Sequence, residues 1–223
     1  NDITNVSSGI PYLVNYRYSS IALLDKLGFL DFDGIPIYQD ASFKFHLPTK
    51  TMGTFSLVGL GGISHILQSE MDSLDRLTDT YDFGARLGMI GLKHMIVLNP
   101  KVYVKSYLSA SSAGSSLDNH SLSKDSILYN AFQESFDDHK LKAQSIINYK
   151  FNQKNIFQLG ATYTHSFFEF REDLDDFNVG KFKRIVDASG DAGMLQSFVS
   201  WKYNVSNTLT VVSGVHYTQL LFN

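Results

Sequence analysis

The chain has 223 residues, of which 43% are hydrophobic and 18% charged, against about 25% charged in ordinary soluble domains. The net charge of −3 argues against a nucleic-acid partner, and the lack of cysteine excludes disulfides, thiolate metal sites and cysteine nucleophiles. No apolar run approaches the roughly 20 residues of a membrane helix. The sequence from Asn1 shows no signal peptide and is typical of a mature or truncated chain.

Nine β-strands are predicted from the alternation of apolar and polar residues, with centres near residues 16, 43, 58, 89, 106, 145, 161, 199 and 213. In the clearest strand Leu159, Ala161 and Tyr163 alternate with Gln158, Thr162 and Thr164. We expect the first three on the convex face of a curved sheet and the last three pointing inward. The faces of the strands near 58, 89 and 106 are not fixed by the pattern. Helix signals are poor, and residues 69–79 are predicted to hold at most one helical turn.

The predicted connections alternate between short and long. Short turns are indicated by proline, glycine and asparagine at residues 48–53, 99–101, 152–155 and 204–207. Long polar stretches cover residues 25–36, 67–81, 111–125 and 169–191. We therefore predict a series of hairpins with short turns at one end of a sheet and long loops at the other.

Acidic residues are absent from four windows, residues 41–69, 83–117, 139–168 and 192–223. Each window corresponds to one predicted hairpin with its short turn, and together they contain 11 of the lysines and arginines. Polar loops alone would attract acids without excluding them so completely from the hairpins. We therefore expect all 22 acidic residues to collect at the long-loop end.

Antiparallel strands with one apolar face fit a sandwich or soluble barrel, in which that face points inward, or a membrane barrel, in which it contacts lipid. A propeller is disfavoured because no blade signature recurs. Short turns opposite long loops are typical of the outer membrane, as are aromatic residues near the turns. Those aromatic residues are Tyr149, Phe151, Phe157, Trp201 and Tyr203. The predicted fold is an all-β, antiparallel, up-and-down transmembrane β-barrel, with residues 1–223 forming one barrel segment of about nine strands.

Six segments spread over nearly the whole chain point to one family: Tyr12–Ser19, Tyr38–Lys50, Gly53–Ser64, Leu98–Lys101, Tyr149–Asn152 and Gly214–Tyr217. They resemble the barrel of TonB-dependent outer-membrane receptors of the Bacteroidetes type. The resemblance implies a 22-stranded barrel in the cell outer membrane, surrounded by lipid. It also implies an N-terminal plug domain and import driven by the TonB system. Residues 1–223 show no plug domain.

Strand parity supports the interpretation as part of a larger barrel. The first and ninth predicted strands run in the same direction, whereas complete bacterial barrels have even strand numbers. Two alternatives remain open. One is a small self-contained outer-membrane barrel acting as an adhesin or structural anchor, and the other is a soluble barrel that binds an apolar ligand inside.

No enzyme, cofactor or metal site is predicted, and the transported ligand and its binding residues are not identified by the sequence. The seven histidines lie far apart: His46, His65, His94, His120, His139, His165 and His216. The acidic segment from Glu169 to Asp176 is either a calcium loop or, as we expect, a solvated acidic loop. Arg17, Lys44 and Lys142 fall on polar faces. They would line a lumen and favour anionic or polar solutes, contact a plug, or pair with other lumen charges.

Overall fold

The structure, a computed structural model, describes residues 10–19, 27–28, 34, 36–74, 76–122, 128–176 and 181–222. These ranges contain nine strands in a single antiparallel sheet whose order follows the chain. The strands are β1 (Tyr12–Tyr18), β2 (Ile37–Pro48), β3 (Thr54–Met71), β4 (Leu77–Asn99), β5 (Val102–Leu122), β6 (Leu128–Lys150), β7 (Asn155–Asp176), β8 (Lys181–Asn204) and β9 (Thr210–Phe222). The predicted all-β class and the nine up-and-down strands are confirmed. Within the same ranges, no helix is long and apolar enough to cross a membrane.

The strands extend well into the stretches predicted as long loops. β3 continues to Met71, β5 to Leu122 and β7 to Asp176, while β8 already begins at Lys181. The loop prediction was wrong here because polar or charged residues occur on both faces of these extensions, which weakens the alternation signal although the backbone ladder continues. The described part of residues 69–79 contains no helical turn, where the sequence allowed at most one. Its two ends belong to β3 and β4.

Each of the four short turns is closed by a side-chain oxygen near its start. Thr49 Oγ1 accepts a hydrogen bond from the Met52 amide at 3.1 Å, and Asn99 Oδ1 accepts one from the Lys101 amide at 2.9 Å. Asn152 Oδ1 and Ser206 Oγ accept amide hydrogen bonds in the other two turns. Asparagine, serine and threonine favour turns for this reason. The predicted turn positions are confirmed.

The positions of the turns shift steadily along the sheet. Starting at Phe55, the second residue of β3, the register leads through Ser106 and Ala161 to Tyr217. These residues lie one, four, six and seven positions from the start of their strands. The stagger thus averages one residue per strand from β3 to β9, which at about 3.3 Å per residue and about 4.8 Å between strands corresponds to an inclination of about 35°. Strands of closed barrels tilt by roughly 35–45°.

Candidate functional site

The candidate site is the surface of the sheet. Along each strand, successive side chains point alternately to its two faces. Residues directly opposite each other in the register share a face, which defines an apolar face through Leu159 and a polar face through Thr162. On β7, Leu159 is 52% and Tyr163 41% exposed, whereas Thr162 is 6% exposed. The predicted exposure pattern of this strand is confirmed. Side chains crowd one another on the concave side of a curved sheet, so the pattern indicates that the polar face is the concave one.

The apolar face carries an uncharged band. It consists of five successive register rows, from the row of Ile90 to the row of Trp201. Among the residues that the structure describes, these rows contain no aspartate, glutamate, lysine or arginine on this face. The central row holds Leu47, Phe55, His94, Ser106, Ser145, Ala161, Ser197 and Tyr217. Eight residues of strand separate the outermost rows, or about 26 Å along the strands, which at an inclination of about 35° is about 21 Å along a barrel axis, comparable to the roughly 25 Å apolar band of outer-membrane barrels.

Aromatic side chains border the band next to the short turns. The rings of Phe157 and Trp201 stack with centroids 6.3 Å apart, and Tyr203 lies 5.6 Å beyond Trp201. The indole Nε1 of Trp201 donates a hydrogen bond of 2.8 Å to Asn155 Oδ1. Tyrosine and tryptophan have this amphipathic arrangement at membrane–water interfaces, where one side of the ring is apolar and the other is wet.

Ion pairs border the band on the opposite side. Arg86 binds the carboxylate of Asp137, and His165 Nε2 lies 3.0 Å from Asp191 Oδ2. Farther from the turns, Arg184 contacts Asp173 at 2.9 Å, and Arg171 pairs with Glu169. The apolar face therefore changes abruptly from uncharged to ionic along each of the longer strands.

The polar face opposite the band has six lysines and no acidic residue among the described positions. The lysines are Lys44, Lys93, Lys105, Lys142, Lys150 and Lys202. Lys44 and Lys142 share one register row, so both were correctly predicted on the polar face. Arg17 is also on this face, and it pairs with Asp40 at 3.0 Å.

Cross-strand hydrogen bonds link the uncharged polar side chains between these lysines. Gln144 Nε2 donates to Thr162 Oγ1 at 2.9 Å, and Gln158 Nε2 donates to Asn148 Oδ1 at 2.6 Å. Asn148 is only 2% exposed, and its Nδ2 group has no hydrogen-bond partner in the described structure. The polar face is thus partly rigid and rich in hydrogen-bond donors.

The arginines of this sheet differ in their pairing from the six lysines opposite the band, although Lys140, one row beyond them, binds Asp138. All five arginines have a carboxylate partner: Arg17, Arg76, Arg86, Arg171 and Arg184. None of the six lysines opposite the band has one among the residues that the structure describes. One alternative for Lys44 and Lys142 was that they pair with other lumen charges. Among the described residues, neither lysine has such a partner. Their positive charge is available to a group from outside the sheet.

The histidines and the acidic segment of β7 were the other sequence candidates. Within the described ranges, no three histidine, aspartate or glutamate side chains come close enough together to hold a metal ion. His46 contacts Ser56 and His94 contacts the Met52 carbonyl, so these two rings have structural partners. The segment Glu169–Asp176 is the end of β7 and not a loop, because its backbone pairs with β8.

Lys93 and Lys105 were not singled out by the sequence, although they lie at the centre of the polar face. The alternation in β4 and β5 is weak, since glycine and serine occupy both faces. The signal that would have found them is the short turn at Pro100–Lys101. It fixes the hairpin register and places Lys93 opposite Tyr107.

No family model matches the chain, and no curated protein matches it.

Proposed function

We propose that this chain forms part of the wall of an outer-membrane β-barrel that imports solutes, of the TonB-dependent receptor type. The observation that carries the proposal is the separation of charge between the two faces of one sheet. Five rows free of charged residues on one face lie directly behind six lysines on the other. A barrel wall between lipid and a wet lumen requires that combination.

The inclination of the strands and the aromatic border support the same proposal. A stagger of one residue per strand corresponds to the tilt of a closed barrel, and the stacked Phe157 and Trp201 rings suit a lipid–water interface. A soluble barrel with an apolar ligand inside would turn Leu159 and Tyr163 into a closed core, whereas both are exposed here. The resemblance to the receptor family supplies the import function.

The two edges of the sheet favour a larger barrel over a self-contained nine-stranded one. β1 and β9 have no second neighbour in the described sheet, and they run in the same direction. In lipid each unpaired backbone group costs several kcal/mol, so both edges need further strands. Antiparallel closure then requires an odd number of additional strands between β9 and β1, as in a 22-stranded barrel.

Lipid contact is tested with the single tryptophan, Trp201. In vesicles of brominated phospholipids, we expect strongest quenching of its fluorescence by bromine near the headgroups. With Trp201 replaced by Phe, a Leu159→Trp probe should be quenched best by bromine deep in the acyl chain. The neighbouring Gln158→Trp probe on the polar face is the control and should be quenched little. Equal quenching at 158 and 159 would contradict a barrel wall.

Closure is tested with a cysteine pair, which is clean because the chain has no native cysteine. A larger barrel predicts that Tyr16→Cys on β1 and Val215→Cys on β9 do not form a disulfide within one molecule. Efficient crosslinking would instead favour the self-contained adhesin or anchor.

Import is tested by deleting the gene and measuring growth on single carbon, iron and phosphorus sources. A defect that a proton uncoupler reproduces in the parent strain supports an energised receptor.

A further inference from the structure

Two lysines occupy neighbouring strands at the centre of the polar face. Lys93 on β4 lies opposite Tyr107, and Lys105 on β5 lies opposite Met95. Lys93 and Lys105 are therefore diagonal neighbours on one face, with backbones about 7–8 Å apart. Two long, flexible side chains at this separation can bring both ammonium groups to one ligand.

Each of these lysines is oriented by a tyrosine ring. Lys93 Nζ lies 5.9 Å from the centroid of Tyr107, and Lys105 Nζ lies 5.2 Å from that of Tyr103. Cation–π contacts of this length hold an ammonium group while leaving its N–H donors free for hydrogen bonds. The two tyrosines thus organise two positive charges for which the described sheet provides no carboxylate.

The surroundings of the pair are polar and contain one unpaired hydrogen-bond donor. Ser56 lies opposite Lys93, Gln144 opposite Tyr107, and Asn148 opposite Tyr103. The buried Asn148 amide has a donor without an acceptor in the described structure. Uncompensated ammonium groups beside an unpaired amide favour a ligand that carries negatively charged oxygen atoms.

We propose that the Lys93–Lys105 pair, held by Tyr107 and Tyr103, is a binding site for a small multivalent oxyanion carrying phosphate or carboxylate groups. The inference rests on the proposed function, since a barrel lumen makes this face a path for solutes. The other four lysines opposite the band lie outside the site, at other depths of the same path. Their separation from the short-turn end of their strand is zero residues for Lys150, two for Lys202, four for Lys44 and eight for Lys142.

The test is calorimetric titration of the protein in detergent micelles with two probes, inorganic pyrophosphate and citrate. We expect Lys93→Gln/Lys105→Gln to weaken binding by about tenfold or more, because at least one charge-assisted hydrogen bond is lost. The matched control is Lys44→Gln/Lys202→Gln, which removes the same charge from the same face. It should change the dissociation constant by less than about threefold, since long-range charge effects are screened. Lys93→Arg/Lys105→Arg should retain binding.

The two probes distinguish the source of the anionic oxygen. Loss of pyrophosphate binding alone assigns a phosphate site, loss of citrate binding alone assigns a carboxylate site, and loss of both supports a general oxyanion site. Equal weakening in the control pair, or no binding of either probe, overturns the proposal. The proposal is also overturned if both lysines are protected from chemical methylation in native membranes but not in micelles. An acidic protein segment, and not a small oxyanion, would then cover them. The titration is done in micelles and does not require insertion into lipid. A failure of the oxyanion proposal is therefore distinguishable from a failure of the quenching experiment, which tests lipid contact.

Discussion

Arg86 on β4 binds Asp137 on β6 across the intervening strand β5, with Nη2 and Oδ2 2.7 Å apart. The contact is possible because the residue between them in the register is Gly114. A Cβ atom at Gly114 would overlap the Asp137 carboxylate and lie 3.0 Å from Arg86 Nε. The glycine therefore permits a charge pair that spans two strand spacings. That pair lies at the border where the uncharged band of the apolar face ends.

Replacing Gly114 with alanine should displace Asp137 and separate it from Arg86. We expect a loss of about 1–3 kcal/mol in the free energy of unfolding, the usual range for an added methyl group in a filled position. The measurement is urea unfolding in lipid vesicles. Gly88→Ala is the control, since Gly88 lies on the same face and a Cβ atom there meets nothing within 4 Å. Similar losses in both variants would contradict a specific role for Gly114.

The connection between β3 and β4 should loosen in acid. Asp72 accepts hydrogen bonds from the Arg76 amide, the Arg76 side chain and the Leu74 amide, which hold the pKa of its carboxyl below the usual 3.8. The stabilisation is present above pH 3.8 and is lost as the pH falls through the lowered pKa. Hydrogen-exchange protection of the Leu74 and Arg76 amides should therefore decrease in that range. Asp72→Asn should abolish this pH dependence, and an unchanged dependence would exclude Asp72 as its source.

The strand order and turns were predictable because they depend on local signals. Thr49, Asn99, Asn152 and Ser206 each close a turn with their own side chain, so the sequence near them determines the local structure. The ends of the strands far from the turns were not predictable. In β7 the segment from Glu169 to Asp176 is charged on both faces, and only its pairing with β8 identifies it as strand.

The polar face was predictable in part. Lys44 and Lys142 lie in strands that alternate cleanly, so their face follows from their neighbours. Lys93 and Lys105 lie where the alternation is interrupted, since Met95 shares their face and Ser106 lies on the apolar face, and their proximity depends on the register across the β4–β5 hairpin. A period-two pattern gives the face of one strand. It does not give the relation between two strands, on which a two-lysine site depends.

An aromatic ring covers a glycine at the centre of the polar face. Phe198 on β8 lies opposite Gly160 on β7, and a Cβ atom at 160 would overlap its ring. Such rings over strand glycines compensate for the missing side chain. Gly160→Ala should expel the ring and lower the free energy of unfolding by about 1–3 kcal/mol.

Two further variants test that prediction. Gly91→Ala has only ordinary contacts, at 3.7 Å and beyond, so it should be nearly neutral. In a Phe198→Ala background, Gly160→Ala should cost much less than in the parent protein. An equal cost in both backgrounds would mean that backbone conformation, and not the ring, determines the effect.

Val199 and Ser200 are adjacent on β8 and face opposite sides of the sheet at the same depth. Val199 lies in the uncharged band between Leu159 and Val215, whereas Ser200 lies opposite Gln158 on the polar face. If the band contacts lipid, Val199→Arg should lower the free energy of unfolding in vesicles by about 2–4 kcal/mol, the cost of arginine near the bilayer midplane. Ser200→Arg should cost much less, because its side chain would enter a wet lumen. The difference should disappear in detergent, where the arginine head reaches water at either position. If the two variants instead unfold alike in vesicles, neither face is in contact with lipid.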